Sequence, residues 1–319
     1  MYAAQALQPS LDHQQPLQDL FASFSHRKFL FVRPGGNWGD HLIYLGADYL
    51  AKQLGLVYRT VDYGSFSTSS ARPEEVIYIH GGGGFSPYTS GDAPKCLRMA
   101  LQTPGAIVVQ GPCTLGDVQC LLPLKNDLEN MQAEQLHFFS RERLSREICQ
   151  KELPSHVRQY LNDDTALYLS GDTLLERVGR VRRRLNLLAI REDVEAVRGN
   201  EPLNIWEATV DPARFARSFN HWIRIHASAK SILTNRTHSA ICGAILGIPT
   251  TMFSNAYHKN RSIWEFSLEK RGVKWLEAQA RLPNAAQGDP LLDWIPFKTL
   301  RQSWKVNRLA KRLRGIPLS

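Results

Sequence analysis

The chain has 319 residues, of which 43% are hydrophobic and 22% are charged, and its formal net charge is +9. These values are typical of globular proteins and exclude a largely disordered chain. No apolar run approaches the ~20 residues that cross a bilayer, and the five scattered cysteines, which include no C-x-x-C pair, argue against a disulfide framework or a zinc site. The positive charge indicates an anionic partner, which could be nucleic acid, a membrane surface or a phosphorylated substrate.

The N-terminal part is predicted to contain an arm, a strand, a glycine loop and a helix. We interpret residues 1–25, which are Gln-rich and carry few apolar anchors, as a loose arm with one short helix around residues 17–24. Phe29–Val32 is an unbroken apolar run, typical of a parallel strand covered on both faces. A loop containing Asn37 follows, and Asp40 heads a helix, either as its N-cap or as a carboxylate facing an interdomain cleft.

A run of glycines forms the second motif of this half. Residues 75–79 are predicted as a buried strand, and His80 at its end is followed by four glycines, among them Gly82 and Gly83. Four consecutive glycines are entropically costly, so the backbone is expected to approach another group closely there. A ligand is the simplest partner, and a close helix crossing is the alternative.

Strands and helices alternate through the rest of this half. Further strands are predicted at residues 106–110, 137–139 and 166–169. This alternation indicates one parallel, doubly wound domain at residues 26–172. The basic run at residues 173–184 is interpreted as a solvated linker or helix face that marks the domain boundary, with direct ligand contact as the alternative.

A second domain of the same kind is predicted at residues 185–298. Its first strand covers residues 185–190 and ends at Arg191, and a long helix is predicted over residues 212–228. Residues 299–319 are predicted to contain a basic amphipathic helix, which lies on an anionic membrane surface or packs on the body of the protein.

The polar residues of this second domain follow predicted strands. After the apolar run at residues 231–233, Arg236 and His238 lie in the first turn of a helix, and the next strand, residues 250–253, precedes Lys259. In open α/β sheets, ligands bind at the carboxyl ends of strands, where helix N-termini face anions. The sequence therefore predicts an anion site held by Arg236.

Four segments carry a family resemblance: Gly36-Asn37-Trp38-Gly39-Asp40, His80 with its glycines, Asp164-Thr165-Ala166-Leu167, and Arg236-Thr237-His238 followed by Gly247-Ile248-Pro249. In this order they resemble the polysaccharide pyruvyl transferases, over roughly residues 29–265, with Thr237 where that family usually has Leu. The resemblance implies two doubly wound Rossmann-like domains facing a cleft, a fold of the glycosyltransferase-B type. It also implies transfer of pyruvate from phosphoenolpyruvate to a sugar of a surface polysaccharide precursor as a ketal, with release of phosphate.

The resemblance assigns the donor to the second domain. Arg191 and Arg236 would bind the two anionic groups of phosphoenolpyruvate, because guanidinium groups form charge-assisted forks with carboxylate and phosphate. Lys259 would add a charge for the phosphate. His238 would be the general acid that protonates the methylene carbon.

The resemblance assigns the acceptor to the first domain. Asp40 is the first candidate base for the sugar hydroxyl and His80 the second, while Asn37, His80, Gly82 and Gly83 are expected to bind substrate. No metal is expected, and no cofactor beyond phosphoenolpyruvate as co-substrate. The expected acceptor is a lipid-linked oligosaccharide in a bacterium. The N-terminus lacks the features of a secretory signal, so a cytoplasmic protein is expected, with peripheral contact at the inner membrane face as a further expectation.

Two other functions stay open. A nucleotide-sugar-dependent glycosyltransferase of the same fold, acting in exopolysaccharide biosynthesis, would need an acidic residue that binds the ribose, and Glu265 or Glu269 qualify. A non-catalytic anion-binding or nucleic-acid-binding protein would follow from the net charge. However, the basic residues lack interleaved aromatic residues, and this function would not explain the glycine-rich strand ends. We therefore expect no nucleic-acid partner.

Overall fold

The apolar runs of the sequence form the central strands of two parallel sheets, one in each of two units. The computed structural model describes residues 16–72, 74–195 and 208–277. The units are Met1–Ser170, called unit 1, and Gly171–Ser319, called unit 2. Both are α/β structures with parallel strands and flanking helices, consistent with Rossmann-like folds.

Unit 1 is built on seven described strands and five described α-helices. The strands are β1 Phe29–Arg33, β2 Tyr58–Asp62, β3 Val76–Ile79, β4 Gly82–Phe85, β5 Ile107–Leu115, β6 Gln135–Ser140 and β7 Arg158–Leu161, and the helices are α1 Pro16–Ser23, α2 Trp38–Gln53, α3 Asp92–Leu101, α4 Lys125–Glu129 and α5 Arg143–Glu152. The strand order is β2-β1-β3-β5-β6-β7, and β4 pairs with β5.

Successive residues of the central strands enter two separate cores. Leu30 and Val32 of β1 belong to one cluster, whereas Phe29 and Phe31 belong to the other. This alternation follows from the two-residue period of a strand and places apolar side chains on both faces of the sheet. Helices cover both faces, as expected for a sheet of parallel strands.

The structure refines three expectations for unit 1. The short helix predicted around residues 17–24 is confirmed as α1, but it is not loose, because its Leu17 and Phe21 are fully buried in the core. The remainder of the predicted arm, residues 1–15, lies outside the described residues. The strand predicted at residues 166–169 is a 3-10 turn, Thr165–Tyr168, because Asp164 caps it through the Ala166 backbone N–H. Three of the four glycines after His80 lie in β4, which pairs with β5 although glycine is a poor strand former.

Unit 2 contains five described strands. They are β8 Leu185–Ala189, β9 Ala208–Val210, β10 Ala229–Thr234, β11 Thr250–Phe253 and β12 Lys274–Leu276, accompanied by helices α6 Gly171–Val178, α7 Pro212–Phe215, α8 Phe219–Ala227, α9 Thr237–Ile245 and α10 Lys259–Ile263. The order β12-β11-β10-β8-β9 is that of a doubly wound sheet. The chain direction across the sheet reverses between β8 and β10, which makes the gap between them the topological switch point.

Two expectations for unit 2 also change. The linker predicted at residues 173–184 is helical as far as Val178, and Leu174 and Val178 of α6 are buried. The single helix predicted over residues 212–228 is interrupted after Phe215, because Ser218 caps a new helix through the His221 backbone N–H. The final part of the predicted second domain, residues 278–298, and the predicted helix at residues 299–319 lie outside the described residues.

Candidate functional site

The polar residues predicted for the donor lie around the switch point of unit 2. Arg191 comes two residues after β8 and Arg236 two residues after β10, so they stand on either side of the reversal. In doubly wound sheets the loops at this point diverge and leave a crevice in which ligands bind. Lys259, the first residue of α10, follows the neighbouring strand β11.

One carboxylate connects the two arginines. The Nε and Nη2 atoms of Arg191 lie 2.8 and 3.0 Å from the two carboxylate oxygens of Asp193. The Nη2 atom of Arg236 lies 2.9 Å from Oδ2 of the same residue. The structure therefore brings Arg191 and Arg236 together, and it does so through a residue that the sequence analysis had not singled out.

Two further carboxylates complete the set of ion pairs. Glu195 accepts from Nη1 of Arg191 at 2.7 Å, from Nδ2 of Asn255 at 3.1 Å and from Nζ of Lys259. Asp211, just after β9, accepts from Nη2 of Arg236 at 2.5 Å. We call Arg191, Asp193, Glu195, Asp211, Arg236 and Lys259 the switch-point cluster.

The formal charges of the switch-point cluster cancel, because three cations face three carboxylates. Burial by itself would raise the pKa of Asp193, but hydrogen bonds from Arg191 and the charges of Arg191 and Arg236 outweigh it and hold that pKa below its ordinary value. Burial opposes ionisation of Glu195 in the same way, and the charges of Lys259 and Arg191 lower its pKa overall. Both carboxylates are therefore ionised at neutral pH.

Uncharged side chains hold the ends of the three central strands in place. Thr234 donates to the Ala189 carbonyl at 2.7 Å and accepts from the Arg236 backbone N–H at 2.9 Å. Asn235 accepts from the Arg191 backbone N–H at 2.8 Å, and the buried Asn260 donates to the Asn235 carbonyl at 2.7 Å. These bonds fix the backbone that carries both guanidinium groups.

His238 lies in the first turn of α9, two residues after Arg236, and is half-buried. Arg236 is the N-cap of this helix, and its side chain makes no capping hydrogen bond. Its Nε atom is buried and has no hydrogen-bond partner among the described residues. The positive end of the α9 dipole thus adds to the guanidinium charges at the same edge of the sheet.

In unit 1, Asn37 and Asp40 occupy the loop after β1. Asn37, and not Asp40, is the N-cap of α2, with Oδ1 accepting from the Gly39 backbone N–H at 2.8 Å. Asp40 accepts in return from the Asn37 backbone N–H at 2.8 Å, so the two form a capping box. The switch point of this sheet lies between β1 and β3, so these residues stand beside it.

His80 does not offer a base to a substrate. It is fully buried after β3, with its ring 4.6 Å from that of Tyr44, 5.0 Å from that of Tyr78 and 5.4 Å from that of Phe31. Burial, reinforced by the charge of Arg33, lowers the pKa of His80 well below its ordinary value, so the ring is neutral. An aromatic cage of this kind favours a packing role for His80 over the predicted catalytic one.

The glycines after His80 allow close packing of the protein on itself. A Cβ at Gly81 would lie 1.9 Å from the Pro112 carbonyl oxygen, and one at Gly84 would lie 2.6 Å from Cβ of Ala93 in α3. The close helix crossing that the sequence left open thus accounts for Gly84. Gly82 and Gly83, predicted to bind substrate, lie in β4, and Gly82 has a φ of +123°.

No protein-family model matches this sequence, and no curated protein matches it. The crystal structure of an uncharacterized protein from Klebsiella pneumoniae subsp. pneumoniae NTUH-K2044 is similar, with a TM-score of 0.59 at 18% sequence identity, over 82% of this chain and 97% of that one. The two chains share a fold. At this identity the similarity concerns the architecture alone.

Metal sites and membrane-spanning helices have requirements that the described residues do not meet. Among residues 16–72, 74–195 and 208–277, no three His, Cys, Asp or Glu side chains are grouped so that they could bind a metal ion. Within the same ranges, no helix combines the length and the apolar character needed to cross a membrane.

Sequence reasoning missed the acidic half of the switch-point cluster. Asp193 and Glu195 follow Arg191 within four residues, and this spacing after a strand was a usable signal for ion pairing. Asp211 was not recognisable in this way, since its contact with Arg236 spans 25 positions of the chain. Only the strand order brings these two residues together.

Proposed function

We propose that this protein is a pyruvyl transferase that moves pyruvate from phosphoenolpyruvate to a sugar of a surface polysaccharide precursor as a ketal. The observation that carries the proposal is the pair of buried guanidinium groups, Arg191 and Arg236, joined across the switch point of unit 2. A donor with a carboxylate and a phosphate requires two such partners. The proposal includes the glycosyltransferase-B arrangement implied by the resemblance, in which two domains would face a cleft.

The reaction assigns a distinct role to His238. Its imidazolium would give a proton to the methylene carbon of phosphoenolpyruvate, which becomes a methyl group and leaves C2 cationic. One sugar hydroxyl then attacks C2, the C2–O bond to phosphate breaks, and a second hydroxyl attacks C2 to close the ketal. The two hydroxyl protons leave to bases, and Asp40 in unit 1 stays the proposed base for the first.

A binding and turnover experiment tests this function. The protein is incubated with phosphoenolpyruvate and candidate lipid-linked or free oligosaccharides, and phosphate release and the mass of the glycan are measured. His238→Ala should abolish turnover and preserve donor binding, whereas Arg236→Ala should weaken binding as well. His26→Ala, at an exposed position in unit 1, is the control. Donor binding without phosphate release for any acceptor would refute the proposal.

The alternative glycosyltransferase has less support in unit 2. Glu265, one of its candidate ribose ligands, forms an ion pair at 2.5 Å with Arg261, and both side chains are about half exposed. Thermal-shift measurements with phosphoenolpyruvate and with UDP separate the two functions, because stabilisation by UDP alone would favour the glycosyltransferase.

The partners belong to the same proposal. They are phosphoenolpyruvate and a lipid-linked oligosaccharide at the inner face of a bacterial membrane, where the basic residues 299–319 would contact anionic lipids. Removal of residues 300–319 should then lower sedimentation with anionic vesicles. Equal sedimentation of the full and shortened chains would remove the membrane contact from the proposal.

A further inference from the structure

We propose that Asp193 is an exchangeable internal carboxylate, which occupies the place of a ligand carboxylate on Arg191 and Arg236 and leaves when such a ligand binds. It would thereby determine which anions enter the site. The inference deepens the proposed function, on which it rests for its main probe, phosphoenolpyruvate. It concerns binding and requires no turnover.

The geometry around Asp193 is that of a bound anion. Its two oxygens face Nε and Nη2 of Arg191 at 2.8 and 3.0 Å, the side-on fork by which guanidinium groups recognise free carboxylates. The 2.9 Å contact from Arg236 to the same carboxylate joins the two sides of the switch point. Asp193 therefore lies where doubly wound sheets bind their ligands.

Asp193 is the most accessible of the three acids in the switch-point cluster. Its side chain is 35% exposed, compared with 8% for Glu195 and 1% for Asp211. Asp211 is also held by the backbone N–H groups of Ala213 and Glu192, both at 3.1 Å. Besides the two guanidinium groups, Asp193 accepts only a longer bond, 3.2 Å, from the Glu195 backbone N–H among the contacts of the described residues.

Electrostatics favour an exchange of one carboxylate for another. If Asp193 moved out alone, two buried guanidinium groups would lose a counter-charge, which is costly. A ligand carboxylate restores that charge in the same fork, so the net cost is small. The buried Nε of Arg236, which has no hydrogen-bond partner in the described part of the chain, would supply one further donor to the incoming ligand.

Removing the internal competitor should tighten anion binding. We would measure the binding of phosphoenolpyruvate, pyruvate and inorganic phosphate by calorimetry to the full chain and to Asp193→Asn and Asp193→Ala. At least a tenfold gain in affinity for pyruvate and phosphate is expected in both variants. The control is Glu192→Gln, which removes the same charge from the same loop at an exposed position and should leave all three affinities unchanged.

A purely structural role for Asp193 predicts the opposite sign. If Asp193 only holds Arg191 and Arg236 in place, its replacement would weaken anion binding or leave it unaltered. Either result in folded variants overturns the proposal. Failure of the proposed function looks different: anion affinity would still rise in the Asp193 variants while no phosphate is released from phosphoenolpyruvate with any sugar.

The unmodified protein offers a second measurement in case the variants do not fold. Because the Glu195 backbone N–H donates to Asp193, departure of that carboxylate should speed hydrogen exchange at the Glu195 amide when phosphoenolpyruvate saturates the protein. Slower or unchanged exchange at this amide, under conditions where calorimetry shows the ligand bound, contradicts the exchange of carboxylates.

Discussion

Arg141 and Asp164 form an ion pair in the interior of unit 1, with both side chains 1% exposed and a 2.7 Å separation between Nη1 and Oδ2. Arg141 also donates to the Thr114 hydroxyl at 2.8 Å, and Asp164 accepts from the Ala166 backbone N–H at 2.9 Å. Asp164 is part of the segment that resembles the pyruvyl transferases. Its surroundings assign it to the folding of unit 1 and not to ligand binding.

Asp164→Asn should lower the free energy of unfolding by about 3–5 kcal/mol, because it leaves a buried guanidinium without a counter-charge. Denaturant unfolding of the two proteins measures this difference. Asp127→Asn is the matched control, since Asp127 pairs with a half-exposed Arg98 and should cost at most ~1 kcal/mol. Equal losses of unfolding free energy in the two variants would mean that water reaches the Arg141–Asp164 pair and contradict its burial.

The elements differ in how far the sequence could predict them. Residues 250–253 were predicted as a strand and coincide with β11, because apolar runs between turn residues mark central parallel strands. The edge strand β2 went unrecognised, since Tyr58–Asp62 is mostly half-buried or exposed and carries Arg59 and Asp62. The break before α8 depended on one capping serine, Ser218, inside a run of good helical periodicity.

Helix α2 approaches the turn Thr165–Tyr168 so closely that only glycine fits at position 46. A Cβ there would lie 2.0 Å from the Thr165 carbonyl oxygen, and the Thr165 hydroxyl donates to the Ile43 carbonyl at 3.0 Å. Gly46→Ala should therefore destabilise the protein by about 1–3 kcal/mol despite the higher helix propensity of alanine.

The midpoint of thermal unfolding measures the effect of Gly46→Ala. Gly64→Ala serves as the control, because a Cβ at Gly64 meets no atom within 4 Å. If the two alanine variants unfold at the same temperature, α2 can shift away from the turn at little cost.

His226 connects α8 to α9 in the interior of unit 2. Its Nδ1–H donates to the Trp222 carbonyl at 2.8 Å, and its Nε2 accepts from the Ser239 hydroxyl at 2.9 Å. Burial lowers the pKa of His226 to about 4, and the bond to Trp222 only partly opposes this. The imidazole is therefore neutral in the folded protein.

Stability should fall on acidification through this histidine. Because the unfolded chain binds the proton near pH 6.5 and the folded chain only near pH 4, the neutral ring favours folding above pH 6.5 by up to about 3 kcal/mol, and this is lost as pH falls towards 4. His226→Gln should flatten this part of a stability–pH curve, and the exposed His26→Gln should not. The stability–pH curve of His226→Gln should keep a smaller slope, because burial also lowers the pKa of His137 to about 4.

At the scale of the whole molecule, each sheet has its own core. The two apolar clusters around β1, β3 and β5 consist of residues of unit 1, and a third cluster formed by Leu188, Leu233 and Phe253 belongs to unit 2. A fragment of residues 1–170 should therefore unfold cooperatively in urea and keep an α/β circular dichroism spectrum. A fragment ending at residue 140 lacks α5 and β7 and should not. A fragment 1–170 without a cooperative transition would contradict separate folding.

The candidate site was predictable only in part. Arg191, Arg236 and His238 could be placed at the carboxyl edge of one sheet, because strand ends are visible in the sequence. The neutralisation of both arginines could not be foreseen, because it depends on strand order. Strands β9 and β10 each pair with β8, so the loops that follow them lie near one another at the same edge of the sheet. His80 looked catalytic for the same reason: a strand end alone does not show that Phe31, Tyr44 and Tyr78 enclose the ring.

The cancellation of charge in the switch-point cluster also bears on how ionic strength affects the protein. An electroneutral group exerts little force beyond the Debye length of ~10 Å at 0.1 M salt, so a small anion gains little long-range steering from it. The overall charge of +9 must then reside in other parts of the chain. Added salt should hardly change the contribution of the switch-point cluster to the capture of small anions, whereas any association of the positively charged remainder with a polyanionic surface should weaken steeply.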